Sequence, residues 1–281
     1  MILTNYHGHC HFCDGKGSPD EMLERARELG FKAIGFSSHA PVPFTNDFCM
    51  QPEDAADYRA AIRALKAQSQ DVEVYLGLEI DFIEGAMEPR DSQWDAWQLD
   101  YKIGSVHAMS LPDAQGRWLA VDGPQQEMTL LLDGVYGGDI RALVADYYRC
   151  VGELCRQGGF DILGHFDLVK KHNRQMQLFD ETADWYRELA YAALDEVAAA
   201  GVIMELNYGG MLRGATDEIY PPPWILERAN SLGVPIQINA DAHAPKHLAV
   251  HHQYCFDLAK RAGYTHQRVL LQGRWQDIPL A

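Results

Sequence analysis

Short apolar runs rich in β-branched residues alternate along the chain with longer segments whose apolar residues recur at helical spacing. The short runs predict strands at residues 3–7, 33–37, 72–81, 101–106, 161–165, 202–207 and 235–239. The periodic segments predict helices at residues 21–29, 52–68, 139–156, 182–200, 224–232 and 247–262. Ser18, followed by Pro19 and Glu21, predicts the N-cap of the first helix.

This repeated order of strand and helix predicts an α/β protein with parallel strands. The strands could close into a barrel or form an open doubly wound sheet, and periodicity favours neither. No internal repeat, low-complexity tract or Pro/Gly-rich linker divides the chain. We therefore expect a single domain over residues 1–281.

Metal-ligating side chains recur at the carboxyl ends of the predicted strands. In a parallel barrel these ends share one mouth, so the side chains are expected to converge there. Side chains two apart on a strand share a face, which lets His7 and His9 point to one centre. The candidates are His7, His9, Asp14, His39, Glu79, His107, His165, Asp241 and His243.

A single histidine at a strand end is usually a hydrogen-bonded structural residue, so the prediction depends on the whole set. Imidazoles mixed with carboxylates suit Zn²⁺, Mn²⁺ or Fe²⁺ better than Ca²⁺ or Mg²⁺. The nine donors exceed what one tetrahedral site can use. We therefore expect two or three divalent metal ions, with a carboxylate bridging between them.

Charge and composition limit the kinds of molecule that the protein is expected to bind. The 281 residues include 47% hydrophobic and 23% charged residues, as in ordinary globular proteins. The net charge of −16 opposes nucleic-acid binding, but it is compatible with a small substrate that carries positive groups. The N-terminal residues do not resemble a secretory signal, and no apolar stretch reaches the roughly 18 residues of a membrane span. We expect no membrane partner.

Six cysteines are spread along the chain, and only Cys10 and Cys13 have the spacing of a metal-binding pair. No second pair accompanies them, so we interpret them as reduced thiols beside the metal site. Reduced cysteines predict a cytoplasmic protein.

Several segments resemble the signatures of the PHP (polymerase and histidinol phosphatase) superfamily, and more narrowly its histidinol-phosphatase branch. The resemblance extends from His7 to about His243. It implies a distorted seven-stranded (β/α)7 TIM-like barrel, with one metal-dependent phosphoesterase domain and a trinuclear centre. The segments are residues 7–9, 12–18, 35–41, 77–79, 103–107, 164–168 and 241–243.

The resemblance also implies how the ligands are shared. One metal would be held by His7, His9, Glu79 and Asp241, and Glu79 would bridge to a second held by His107 and His165. A third would be held by Asp14, His39 and His243. The family often has Thr or Ser after the second histidine, whereas this chain has Cys10 and then His11. We expect His11 to lie beyond the strand and outside the ligand set.

The activity implied by the resemblance is hydrolysis of L-histidinol phosphate to L-histidinol and phosphate in histidine biosynthesis, by a monomer or homodimer. Glu79 would act as the bridging catalytic carboxylate, and Asp14 or His243 could protonate the leaving group. Cationic side chains after the fifth and sixth strands are expected to bind the phosphate, and they are Arg213, Lys170 and Lys171.

Three further residues are placed only loosely by the sequence. We expect Lys16 to be a solvated surface residue. Arg117 and Trp118 lie in the loop after His107, from which they could cover the substrate.

Three other functions stay open. The first is a PHP phosphoesterase acting on another small phosphomonoester or a nucleotide. The second is a metal-dependent amidohydrolase, which commonly needs a bridging lysine at the end of the fourth strand, but Lys102 comes too early. The third is a metal-binding or scaffold protein without catalytic activity.

Overall fold

Seven parallel strands occur in the central sheet in the order in which they follow one another along the chain. The computed structural model describes residues 2–109 and 118–280. The strands are β1 (Thr4–Asn5), β2 (Ala33–Phe36), β3 (Glu73–Asp81), β4 (Tyr101–Ser105), β5 (Ile162–Leu163), β6 (Ile203–Asn207) and β7 (Ile236–Asn239). Each predicted strand is confirmed, although the strands predicted at 3–7 and 161–165 are shorter than expected.

The sheet curls until its first and last strands meet. Beyond β1 and β7, the amide of His9 donates to the carbonyl of Ala242 at 2.9 Å. The amide of Ala242 donates to the carbonyl of His7 at 3.2 Å. The amide of Tyr6 donates to Oδ1 of Asn239 at 2.8 Å. The strands therefore form a nearly closed, distorted (β/α)7 barrel, which confirms the predicted fold class and excludes an open sheet.

Helices surround the barrel. Ser18 caps α1 through a capping box, in which it accepts from the amide of Glu21 at 3.1 Å while Glu21 accepts from the amide of Ser18 at 2.7 Å. The last predicted helix begins at His252 instead of residue 247, because residues Pro245–His247 form a separate 3-10 turn. The helices are α1 (Pro19–Glu28), α2 (Ala55–Gln68), α3 (Gln125–Leu130), α4 (Ile140–Gln157), α5 (Asn173–Met176), α6 (Asp184–Ala200), α7 (Gly209–Leu212), α8 (Pro223–Ser231) and α9 (His252–Arg261).

Helix α4 shows how these helices support the barrel mouth. Its buried face carries Leu143, Tyr147 and Val151 at the four-residue spacing of one helical stripe. The Tyr147 hydroxyl lies 3.3 Å from the carbonyl of His165 and accepts from the amide of Leu168 at 3.2 Å. Packing of α4 therefore positions the segment that follows β5. None of the described helices combines the length and the apolar character needed to cross a membrane.

An antiparallel hairpin, which the sequence interpretation did not include, covers the end of the barrel opposite the mouth. It consists of β8 (His266–Leu271) and β9 (Arg274–Pro279). The Tyr6 hydroxyl donates to the carbonyl of Leu270 at 2.6 Å, and Trp275 Nε1 donates to Asp161 Oδ1 at 3.2 Å. The hairpin closes the barrel floor, so access to the barrel interior is from the mouth.

Candidate metal centre

All nine predicted donors lie together at the mouth of the barrel, around a cavity of about 960 Å³. His7 and His9 are fully buried beneath the cavity. The backbone of Asp241 has a φ of 49°, a left-handed conformation that aspartate adopts more readily than most residues. The donors that line the cavity itself are Asp14, His39, Glu79, His107, His165, Asp241 and His243.

The first predicted ligand set consists of His7, His9, Glu79 and Asp241. Oε2 of Glu79 lies 3.2 Å from His7 Nε2 and 3.5 Å from His9 Nε2. Oδ1 of Asp241 lies 3.3 Å from His9 Nε2 and 3.9 Å from His7 Nε2. Atoms that bind one tetrahedral zinc ion at about 2.1 Å lie roughly 3.4 Å apart, so these spacings suit a shared cation.

The second set, Glu79, His107 and His165, uses the other oxygen of Glu79. Oε1 lies 3.0 Å from His165 Nε2 and 3.6 Å from His107 Nε2, and the two imidazole nitrogens are 3.1 Å apart. The two oxygens of Glu79 therefore face different ligand sets. This is the arrangement needed for a carboxylate that bridges two metals.

The third set, Asp14, His39 and His243, is closer to the opening of the cavity. Nε2 of His243 lies 3.1 Å from Asp14 Oδ2, and Nε2 of His39 lies 3.9 Å from Asp14 Oδ1. The other ring nitrogen of His39 is 3.0 Å from Glu79 Oε2, so this imidazole lies between two sets. The side chains of Asp14 and His243 are 34% and 18% exposed, which leaves them accessible from the cavity.

Buried polar atoms at the centre lack the partners that folding normally supplies. Nε2 of His7, Nε2 of His9 and Oε2 of Glu79 form no hydrogen bond with any described residue. An unsatisfied buried polar group costs about 1–3 kcal/mol. A divalent cation would satisfy all three atoms at once, so the donor set fits borderline metal ions with nitrogen and oxygen ligands.

The electrostatics of the set favour metal binding. Burial lowers the pKa of His9 to about 3, helped by His243 and His39, so the ring is neutral and one of its nitrogens offers a lone pair to a cation. Burial opposes ionisation of Asp241, yet Arg213 and His7 hold its pKa well below the usual range. The site therefore offers a neutral imidazole beside an ionised carboxylate at neutral pH.

Three supporting residues were not singled out in the sequence. Asp81 accepts a short hydrogen bond from Nδ1 of His107, and Ser105 donates to Glu79 Oε1 at 2.7 Å. Glu205 accepts from Nδ1 of His7 at 2.9 Å. Such partners orient ligating side chains. Asp81 could have been found from its position two residues after Glu79, and Glu205 from its isolation within the apolar run at 202–206.

Arg213, a predicted phosphate ligand, lines the cavity beside the first set. Its Nη2 donates to Asp241 Oδ2 at 2.9 Å, and Nη1 lies 3.3 Å from His243 Nδ1. A Cβ at Gly209 would lie 2.5 Å from Asp241 Oδ2 and 2.8 Å from Arg213 Nη2. Glycine is therefore required there for the aspartate and the guanidinium to meet against the backbone.

The two predicted lysines differ in position. Lys171 lines the cavity, and its Nζ donates to the carbonyl of Asp122 at 2.6 Å. Lys170 is only 2% exposed, and its Nζ lies 2.9 Å from both Asp167 and Glu218. The prediction that Lys170 binds substrate is therefore corrected, because its ammonium is buried in a carboxylate network and does not line the cavity.

Lys16 and Trp118, which were not predicted as ligands, both line the cavity. Lys16 is exposed, as expected, and lines the cavity with Lys246 and His247. Trp118 also lines it and stacks on Phe44, with ring centroids 5.4 Å apart. His11 is exposed and outside the three sets. Arg117 lies outside the described residues.

The sequence is similar to the PHP domain family and to proteins named as histidinol-phosphatases. The PHP domain model matches residues 5–209. A protein of Deinococcus radiodurans named "Probable histidinol-phosphatase" is 31% identical over 86% of this chain and 87% of its own length. The histidinol-phosphatase of Bacillus subtilis is 27% identical, over 86% of this chain and 94% of its own length.

Solved structures share the fold. A histidinol phosphate phosphatase of Lactococcus lactis, solved with zinc, L-histidinol and phosphate, superposes with a TM-score of 0.69 at 18% identity, covering 98% of both chains. A Listeria monocytogenes protein whose name also refers to a histidinol phosphatase has a TM-score of 0.77 at 22% identity, covering 90% of this chain and all of its own. These similarities extend over nearly the whole barrel.

Proposed function

The chain belongs to the PHP domain family, and on that premise we propose that it is a metal-dependent phosphatase that hydrolyses L-histidinol phosphate to L-histidinol and phosphate in histidine biosynthesis. The observation that carries the proposal is the convergence of six imidazoles and three carboxylates on one cavity, with buried donor atoms that lack protein partners. Its cofactors are two or three divalent ions of zinc, manganese or iron. The named relatives support the choice of substrate.

The three ligand sets described above would hold these ions, with Glu79 shared between the first two. When bound, divalent cations supply positive charge to phosphoryl oxygens and make a water molecule more acidic. The protein's own contribution is to position the ester and to move protons. Nε of Arg213 has no acceptor among the described residues, so the guanidinium can bind a phosphoryl oxygen while Asp241 holds it in place.

Proton transfer to the leaving alkoxide is assigned to the pair formed by Asp14 and His243. The two side chains are 3.1 Å apart and partly exposed to the cavity. Burial opposes ionisation of Asp14, yet its contact with His243 and the nearby His39 hold its pKa well below the usual range. His243 is therefore the better proton donor to an ester oxygen placed beside it, and the Asp14 carboxylate would hold it in orientation.

The cavity also suits a substrate that carries both signs of charge. Cationic groups from Lys16, Arg213 and Lys171 line it together with carboxylates of Asp81 and Asp122. L-Histidinol phosphate has a phosphate at one end and an amine and an imidazole at the other. We propose that Arg213 and Lys171 bind the phosphate, and that the carboxylates favour the cationic end.

We also propose a domain extent, a cellular compartment and an oligomeric state for the protein. Asp241 and His243 follow β7, and the β8–β9 hairpin packs on the barrel floor, which supports one catalytic domain over residues 1–281. All six cysteines are free thiols, which supports a cytoplasmic enzyme. We propose that it acts as a monomer or homodimer on a small phosphorylated substrate.

A panel of phosphomonoesters, assayed with and without chelator alongside elemental analysis, tests this function. We expect the highest kcat/KM for L-histidinol phosphate, loss of activity with chelator, and two or three metals per chain. Preference for a nucleotide or another monoester would replace the substrate, and amide hydrolysis would favour an amidohydrolase. In that class a bridging lysine is common, whereas Lys102 Nζ donates to the carbonyl of Pro89 at 2.8 Å. Bound metal without any hydrolysis would indicate a binding protein.

A further inference from the structure

Glu205 is an ionisable side chain in the interior of the barrel, on β6, and it is fully buried. It lies one layer below the candidate ligands. A buried carboxylate is costly unless every lone pair is matched by a donor. The donors that contact Glu205 therefore indicate which groups this carboxylate positions.

Four donors converge on this carboxylate. Oε1 accepts from the backbone amide of His165 at 2.7 Å, from Nδ2 of Asn207 at 2.7 Å and from Nδ1 of His7 at 3.0 Å. Oε2 accepts from Nδ1 of His7 at 2.9 Å and from Nδ2 of Asn239 at 3.0 Å. Glu205 thus contacts the ring of one candidate ligand and the backbone of another, from different ligand sets.

The orientation of both asparagines is independently fixed. Oδ1 of Asn207 accepts from the amide of Gly209 at 2.8 Å, and Oδ1 of Asn239 accepts from the amide of Tyr6 at 2.8 Å. Their NH₂ groups must therefore face Glu205, because a flipped amide would place a donor against a backbone donor. Both oxygens of Glu205 consequently have to be acceptors.

We propose that Glu205 is a positioning residue that holds His7 in the tautomer with its proton on Nδ1, so that the lone pair of Nε2 faces Glu79 and Asp241. The same carboxylate fixes the start of the segment that carries His165, so it aligns the first and second ligand sets with each other. This rests on the proposed function only in treating the nine donors as a metal centre. A partner that orients a ligating histidine typically changes metal affinity by about 10–100-fold.

The substitution Glu205→Gln separates this role from simple space filling. Glutamine preserves the shape of the side chain, but its NH₂ group must face other donors. These are the amide of His165 and Nδ2 of Asn207 at one position, or Nδ2 of Asn239 at the other. In either orientation the new NH₂ group meets other donors. It also replaces one of the two oxygens that can accept from His7 Nδ1, so the preference for a proton on that nitrogen is weakened. We expect this variant to bind the metal of the first set about 10–100-fold more weakly than wild type, measured by competition with a chromophoric chelator.

Tyr101→Phe is the matched control. Its buried hydroxyl donates to the carbonyl of Tyr6 at 2.5 Å in the same barrel, and it is not a ligand or a partner of one. Both variants lose buried hydrogen bonds and should lower the melting temperature. We expect only Glu205→Gln to lose metal affinity. Equal affinity in Glu205→Gln and wild type would overturn the proposal.

The ¹⁵N spectrum of the histidine rings gives a second readout that does not use the Glu205→Gln variant. In the wild-type protein, His7, assigned by comparison with His7→Gln, should carry its proton on Nδ1 when zinc is bound. A proton on Nε2 would contradict the proposal directly. Neither measurement uses phosphatase activity, so a failure of the proposed substrate would leave this result intact, and the reverse also holds.

Discussion

Oε2 of Glu79 lies 3.2 Å from Nε2 of His7, and neither atom forms a hydrogen bond with any described residue. A cation shared between these two buried atoms would satisfy both. Glu79→Gln removes the negative charge at the junction of two ligand sets. We expect at least a tenfold loss of metal affinity, measured by chelator competition, with the fold retained.

Glu53→Gln is the control for this loss, because Glu53 is exposed at the start of the 3-10 turn before α2. It makes the same chemical change away from the barrel mouth and should leave the metal content unchanged. If Glu79→Gln retained the metal content and affinity of wild type, Glu79 would not be a bridging ligand.

The guanidinium of Arg213 should matter for substrate binding more than for folding. A hydrogen bond to a charged group contributes about 1.5–3 kcal/mol, so Arg213→Met should lower kcat/KM by about 10–150-fold. Steady-state kinetics with L-histidinol phosphate measure this, and Arg25→Met, which removes an exposed Arg on α1, is the control. A kcat/KM within twofold of wild type would remove Arg213 from the phosphate site.

The neighbouring lysines should give opposite results. Lys170→Met leaves Asp167, whose pKa burial raises to about 6, without its ammonium partner. Loss of one member of a buried pair costs about 3–5 kcal/mol, so urea unfolding should show a large loss of stability with KM unchanged. Lys171→Met should keep its stability within about 1 kcal/mol and raise KM. A raised KM in Lys170→Met alone would contradict this division.

His252 predicts a pH dependence of stability. Its ring is 1% exposed, neither nitrogen forms a hydrogen bond with described residues, and burial lowers its pKa to about 4. Because the unfolded imidazole, with a pKa near 6.5, binds the proton first, stability falls as the pH drops from about 6.5 towards 4. Between pH 7 and pH 5 this residue should cost the native state about 2 kcal/mol.

Urea unfolding of His252→Leu at both pH values measures that cost. The variant should lose about 2 kcal/mol less than wild type between pH 7 and pH 5, whereas His266→Leu, at an exposed position on β8, should follow wild type. Parallel losses in His252→Leu and wild type would show that the buried ring does not contribute.

The sequence was sufficient to predict the barrel strands and to select the nine donors, because both follow local rules. Strand runs are short and apolar, and parallel strands present their carboxyl ends at one mouth. His7 and Asp241, for example, are far apart in the chain but follow adjacent strands. Closure of the barrel came from the family resemblance, since periodicity was equally compatible with an open sheet.

The features that were missed depend on tertiary structure. Lys170 and Lys171 are adjacent in sequence, and only the packing of the turn after β5 decides which one is buried. Glu205 lacks a motif, and its role appears only once four donors surround it. The β8–β9 hairpin had a local signal in Gln272-Gly273, both with positive φ, but this pair is less typical than Asn-Gly.

Titration of the metal-free protein with Mn²⁺ or Zn²⁺, followed by phosphate release from L-histidinol phosphate, tests the central claim most directly. Activity should be absent without metal, rise with added ion, and saturate at two or three equivalents per chain. Phosphate release at the full rate from metal-free protein, or saturation with metal and no release, would contradict it.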